Sequence, residues 1–169
     1  MDALEVLFTR RSIRKYTDAP VSDADLKLLL RAAMAAPSAN NAQPWQFIVV
    51  RDQARREAIA RSHPYAQMAP KAPLCIVVCG DLSKEKTPGF WVQDCSAAIQ
   101  NIMLAARALG LGTVWTGVHP VEERVTAIRQ AFGIPDGVIP LGIVVVGHPA
   151  QPFSEQDRYD EHKVHYDQW

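Results

Sequence analysis

Apolar residues recur along this chain at two spacings, and the switches between them mark out its elements. Leu4, Leu7 and Phe8 fall at helical spacing and predict a short helix over Met1–Thr9. Ser22 is a good N-cap, and Asp23 and Asp25 follow where a helix dipole favours acids. Leu26, Leu29, Leu30 and Ala33 then carry that helix to a break at Pro37. Trp45–Val50 reads as a strand and Ala54–Arg61 as an exposed, arginine-rich helix. Leu74–Cys79 is β-branched and too short for a helix, so it predicts a buried strand. Asp94 to Leu109 is apolar on nearly every side; it predicts a helix through the core, ended by Gly110. Thr113–Thr116 is a strand, Val121–Phe132 a helix closed by Gly133, and Ile139–Val146 a strand that tolerates Pro140 near its beginning. The tail, Gln151–Trp169, is polar and aromatic with no core pattern of its own. Strands separated by helices admit α/β or α+β, although the spacing is too irregular for clean βαβ repetition.

Composition narrows the setting. A chain of 169 residues has room for one domain, 1–169, and no repeat or linker divides it. Eighteen Lys and Arg balance eighteen Asp and Glu, which argues against a protein that binds nucleic acid through its overall charge. Three cysteines are too few, and odd in number, for a disulfide scaffold. No stretch approaches the roughly 18 consecutive apolar residues of a membrane span, and acids stand where a signal peptide carries bases. The expectation is a soluble, cytoplasmic protein with no membrane or nucleic-acid partner.

Three constellations could carry chemistry. Arg10-Arg11-Ser12-Ile13-Arg14 places three guanidiniums and a hydroxyl in five residues, enough to hold a phosphate by charge-assisted, bidentate hydrogen bonds. A solvated basic turn would read the same way. Pro37-Ser38-Ala39-Asn40-Asn41-Ala42-Gln43-Pro44-Trp45 offers amides and a hydroxyl that could read the edge of a flat heterocycle, although turn formation also explains Pro, Ser and Asn. Gln43 and Trp45 are not turn residues. Gly110 to Gly117 (GLGTVWTG) could bring backbone close to a ligand or could be a helix cap followed by a tight turn. It is no dinucleotide fingerprint, since it follows a helix instead of opening one.

Other chemistry lacks support. His162 and His165 have no convincing third metal ligand in the tail, so no metal site is expected. Cys75 and Cys79 sit on one face of a strand as core residues. No serine has the context of a nucleophile elbow. If the protein is an enzyme, a cofactor carries its reactive group and no catalytic side chain can be named.

Taken in order, these segments resemble the FMN-dependent nitroreductase family: Arg10–Tyr16 (RRSIRKY), Ala36–Phe47 (APSANNAQPWQF), Asp94–Gly117 (DCSAAIQNIMLAARALGLGTVWTG), Pro140–Pro149 (PLGIVVVGHP) and Arg158-Tyr159-Asp160-Glu161. The resemblance implies an α+β fold with a central, mostly antiparallel sheet flanked by helices, in an intertwined homodimer. It implies FMN as cofactor, with NADH or NADPH as co-substrate. Arg10, Arg11, Ser12 and Arg14 look like contacts to the phosphate and ribityl chain, joined by Arg158. FMN's phosphate brings roughly two negative charges to them. Pro37, Ser38, Asn41 and Gln43 look like the loop that contacts the flavin, in the family usually from the partner subunit. Thr116 and Gly117 look like backbone or hydroxyl contacts to the isoalloxazine ring. Lys71 is a candidate for a base at the ring's pyrimidine edge. The tail, about 150–169, would pack on the partner.

The implied reaction is ping-pong reduction of nitroaromatics, quinones or a related electron-poor small molecule. The resemblance also admits enone reduction, dehalogenation or flavin cleavage, and a non-catalytic FMN-binding protein.

Overall fold

A computed structural model describes residues 1–169. Five α-helices and four strands follow one another as α1 (Ala3–Thr9), α2 (Asp23–Met34), β1 (Trp45–Val50), α3 (Gln53–Ser62), β2 (Leu74–Asp81), α4 (Trp91–Ala108), β3 (Gly112–Gly117), α5 (Glu122–Phe132) and β4 (Val138–Gly147). Three helices begin at the side-chain caps their sequences offer: Asp2 accepts from the Glu5 N–H, Ser22 from Asp25 and Asp52 from Arg55.

The strands form one antiparallel sheet in the order β1-β2-β4-β3. The architecture is therefore α+β, and the α/β alternative that periodicity left open is excluded. β2 and β4 are central and covered on both faces. Leu74, Ile76 and Val78 point to the layer containing α2 and α4, while Cys75, Val77 and Cys79 point to the layer of α3 and α5. That two-sided burial explains why both strands read as unbroken apolar runs. Between Val78 and Cys79 the register with β4 slips: Val78 faces Gly142 while Cys79 faces Pro140. The irregularity falls beside Pro140, which has no N–H to contribute to a ladder.

α4 is less uniformly buried than its sequence predicts. Trp91, Asp94, Cys95, Ala98, Ile99, Ile102, Met103 and Ala106 form one buried stripe at helical spacing, and the opposite face is only half-buried. On α1, Leu4 (62%) and Phe8 (61%) lie largely in solvent. No helix is long and apolar enough to cross a membrane.

The edge strand β3 positions the site. Ser12 bridges Thr113 in parallel, and the Ile13 N–H donates to the Thr113 carbonyl at 2.8 Å. Thr113 therefore turns its polar backbone groups away from β4. By strand alternation Trp115 and Gly117 do the same, beyond the point where the Ser12 segment stops covering the edge. The tail runs back along this segment: Gln151 Oε1 accepts from the Arg14 and Lys15 N–H groups, and Arg11 donates to the Gln156 carbonyl. Past Arg158 it leaves its own chain, ending in a fully solvated Trp169.

Candidate functional site

Ile13 is completely buried, while Ser12 and Arg14 face solvent on either side of it. The basic segment is thus anchored by its one apolar residue and presents its polar ones. Arg10 and Arg11 meet Arg158, 147 residues further along, at a cleft of roughly 620 Å³ also lined by Phe8 and Tyr159. None of the ion pairs in the molecule involves these three arginines. Burial, then the nearby Arg11 and Arg158 charges, pull Arg10 below the ordinary arginine pKa. Arg11 Nε is buried without any hydrogen-bond partner. Glu155 and Asp157 also line this cleft but form no ion pair with the three arginines, so three guanidiniums, one with an orphaned donor, remain available to an anion.

Arg10 also borders a second cleft, about 360 Å³, formed with Ser12 from the basic segment, Gln100 and Met103 from α4, and Trp115 and Gly117 from β3. Gly117 exposes bare backbone there; a Cβ added to it would meet nothing within 4 Å and would project into open space. Trp115 lies across Gly142, where a Cβ would collide with the indole, its Cδ1 lying only 2.9 Å away. The outward N–H groups of Trp115 and Gly117 are oriented to donate to a flat polar edge.

The groups implied by the resemblance fit this arrangement unevenly. Arg10, Arg11 and Arg158 fit a phosphate. Ser12 and Gly117 line the adjoining space, where a ring can enter without meeting a side chain at Gly117. Thr116 is placed differently: its side chain is buried on the α3/α5 face of the sheet, and its hydroxyl lies 3.4 Å from the Ile143 carbonyl. Alternation along β3 turns that hydroxyl to the opposite face of the sheet and the Thr116 N–H and C=O toward β4, so neither its side chain nor its polar backbone groups face the cleft. Arg14 lines neither cleft but projects on the same side as Ser12. Lys71 lies on the α3/α5 face, in a small depression with Thr17, Asp18, Gln53 and Arg56. Trp115, Gln100 and Met103 line the site without having been singled out as binding residues.

Pro37, Ser38, Asn41 and Gln43 are not brought to either cleft of their own chain. Their loop sits at the other end of α4, where the Ala39 N–H donates to Asp94 Oδ1 at 2.9 Å and Lys86 donates to the Asn40 carbonyl. Asp94 is the start of that placement and Met103 is nine residues further on, about 13 Å along the helix axis. Asn40, Asn41 and Gln43 all take left-handed backbone angles (φ 52, 52 and 50°). Asparagine accepts that conformation readily; glutamine does not, at a cost of roughly 1–2 kcal/mol. Turn propensity therefore leaves Gln43 unexplained. Its N–H is held by Ser38 Oγ and its side-chain amide by Asn41 Oδ1, so the strained loop is locked by its own polar groups.

Known proteins share this fold. The model of the nitroreductase family matches residues 7–63 and 60–148. A Methanothermobacter thermautotrophicus protein carrying the provisional name NADH dehydrogenase/NAD(P)H nitroreductase is 52% identical over 169 residues, covering 100% of this chain and 88% of that one. A crystal structure from Parabacteroides distasonis with the same provisional name superposes with a TM-score of 0.95 at 40% identity, over 99% of this chain and 98% of the other. A Desulfovibrio desulfuricans structure, provisionally named a nitroreductase and solved in complex with FMN, is 32% identical with a TM-score of 0.87, over 100% and 98% of the two chains. Sequence and fold agree across essentially the whole length, and the chain belongs to the nitroreductase family.

Proposed function

We propose that the protein is an FMN-dependent oxidoreductase that uses NADH or NADPH to reduce an electron-poor small molecule, a nitroaromatic, a quinone or a related acceptor, in a ping-pong cycle. The observation that carries the reading is the convergence of Arg10, Arg11 and Arg158, none of them in an ion pair, beside a strand edge whose Trp115 and Gly117 N–H groups point away from β4. In this reading the three guanidiniums hold the phosphate. Ser12 and Arg14, on the same side of the extended segment, face the ribityl chain. Backbone donors of Trp115 and Gly117 meet the ring.

When bound, FMN takes up a hydride and passes two electrons on; the chain supplies everything that aims it. Charge on the reduced ring is best stabilised by donors fixed in advance, and edge N–H groups of a hydrogen-bonded sheet need no reorganisation. The absent side chain at Gly117 leaves space for close approach, and Trp115 limits how the ring can lie.

Each chain holds the phosphate half of the site and keeps its Pro37–Gln43 loop some distance away. A second copy resolves this: its loop reaches the first copy's ring, as the resemblance implies. The exposed Leu4 and Phe8 on α1 and the detached tail with Val164, Tyr166 and Trp169 then find cover against the partner. This supports an intertwined homodimer built from one domain per chain.

The test is the visible spectrum of the purified protein under anaerobic conditions, before and after NADH or NADPH. A yellow protein bleached by either nucleotide and restored by a nitroaromatic or a quinone is the expected result. Protein that stays colourless and takes up no added FMN sinks the reading. Bound FMN that neither nucleotide reduces would indicate a non-catalytic flavin carrier instead.

A further inference from the structure

Gly117 ends the edge strand beside the ring cleft, and its carbonyl is held from outside the sheet. His63, the residue that closes α3, places Nε2 2.7 Å from that carbonyl, and Arg124 in the first turn of α5 donates to it at 3.1 Å. The other imidazole nitrogen, Nδ1, accepts the Tyr65 N–H at 3.1 Å. A nitrogen that accepts carries no proton, so the hydrogen sits on Nε2 and the ring is neutral. His63 is buried (1% exposed) and stands edge-on to Tyr65, whose ring lies under the Arg124 guanidinium. The charged and titratable groups facing it are Arg124 from α5 and Tyr65 from the following turn; no carboxylate pairs with it.

We infer that His63 is a positioning residue for the flavin site: its neutral imidazole fixes the Gly117 peptide from behind, and its protonation releases that end of β3 and loosens the ring's backbone donors. The inference rests on the flavin reading above. Protonating Nδ1 sets an N–H against the Tyr65 N–H and adds a cation beside Arg124. Both effects expel the ring from its place. Burial lowers the His63 pKa, the Gly117 hydrogen bond opposes that shift, and Arg124 adds to it. The release therefore belongs below the ordinary histidine range, with the tight state present at neutral pH.

Riboflavin is the cleaner probe, because it lacks the phosphate whose own second ionisation falls near pH 6. Flavin-free protein is titrated with riboflavin and with FMN by fluorescence quenching from pH 5 to pH 8. Wild type should bind riboflavin about tenfold more weakly at pH 5 than at pH 7.5. His63→Gln keeps a donor and an acceptor but does not titrate, so it should bind nearly as wild type does at pH 7.5 and show a flat profile. Arg124→Leu removes the neighbouring cation and should move the wild-type midpoint to higher pH. His63→Ala, if it folds, should lose about tenfold for riboflavin and FMN alike at every pH. Nitrogen NMR of the flavin-free protein should show the proton on Nε2 at neutral pH. A His63→Gln profile with the wild-type pH dependence, or a proton on Nδ1, overturns the inference. Wild type that takes up neither flavin overturns the flavin reading itself, and this role with it.

Discussion

The two segments that stand out most in the sequence, Arg10–Arg14 and Pro37–Trp45, are built in opposite ways. The first is extended, anchored by the buried Ile13 and a bridge to Thr113, and its charges form no ion pair. The second is tightly turned, and its polar groups satisfy one another: Ser38 holds the Gln43 N–H, Asn41 its amide, and Asp94 the Ala39 N–H. Unpaired charge on a firm backbone is suited to catching an anion. A strained loop locked by its own hydrogen bonds is suited to presenting a fixed surface to something brought to it. On the proposed reading, the difference teaches that a chain can carry two halves of a site that do not face each other.

The harshest test of that contrast is truncation after Gly147. It removes Arg158, the Gln151 strap over Arg14 and Lys15, and Phe153, which stacks under Arg107 at 4.0 Å. FMN affinity should fall by more than about a hundredfold, the loss of more than one charged contact, and dimer content should drop in analytical ultracentrifugation. A truncated chain that stays dimeric and fully loaded would break the proposed division of labour.

Single substitutions divide the first half. Arg10→Ala should weaken FMN by roughly ten- to a hundredfold, the worth of one charge-assisted bond at about 1.5–3 kcal/mol. Riboflavin binding should hardly change, because the lost partner is absent from that ligand. Arg14→Ala should lower both affinities together and by less, if its reach is to the ribityl end. Equal losses of FMN and riboflavin for Arg10→Ala would move its contact off the phosphate, and no loss of either would return the cluster to a solvated turn.

The second half should respond more mildly and without regard to the phosphate. Gln43→Ala should weaken FMN and riboflavin alike by several-fold, or shift the potential of the bound flavin. Asp94→Asn keeps the shape of the side chain but weakens its hold on the Ala39 N–H, and should produce the same phosphate-blind loss. A change confined to FMN in either variant would place the loop at the wrong end of the ligand.

The smallest effect concerns the frame from which both halves hang. Burial pushes the Cys75, Cys79 and Cys95 thiols up to about 12. At pH 8 only about one thiol in ten thousand is then ionised, and none is accessible. A thiol reagent should leave the native protein unlabelled for hours and find all three cysteines at once on unfolding. Rapid labelling of one thiol in native protein would show the sheet opening locally.

Local pattern was enough to place every α-helix and strand, because caps and periodicity are short-range signals. Boundaries slipped where the determining partner is remote. α4 begins at Trp91, three residues before the Asp94 start that periodicity suggested, because Glu85 receives the Trp91 N–H from six residues upstream. β2 runs on to Asp81 because Val138 pairs with it from the far end of the chain. The arginine cluster was legible as charge density, but Arg158 had no local signal and was reached only through resemblance. Trp115 could have been found: it shares a strand face with Gly117, and its neighbour Gly142 is small for no other reason in the pattern. His63 could not, since a histidine after an arginine-rich helix looks like any solvated cap until β3 is seen beside it.

The bare edge of β3 has one more consequence, for the protein without its ligand. Ser12 covers the strand as far as Thr113, and His63 and Arg124 occupy the Gly117 carbonyl; between them the polar backbone of Trp115 and the Gly117 N–H remain uncovered beside a partly exposed indole. An edge of this kind is a template on which another polypeptide can add a strand. On the proposed reading, a flat ring lodged there would cap the sheet as well as equip it for chemistry. Stripped of flavin, the protein should scatter light and precipitate on storage before it loses its secondary structure, and restoring the ligand should protect it.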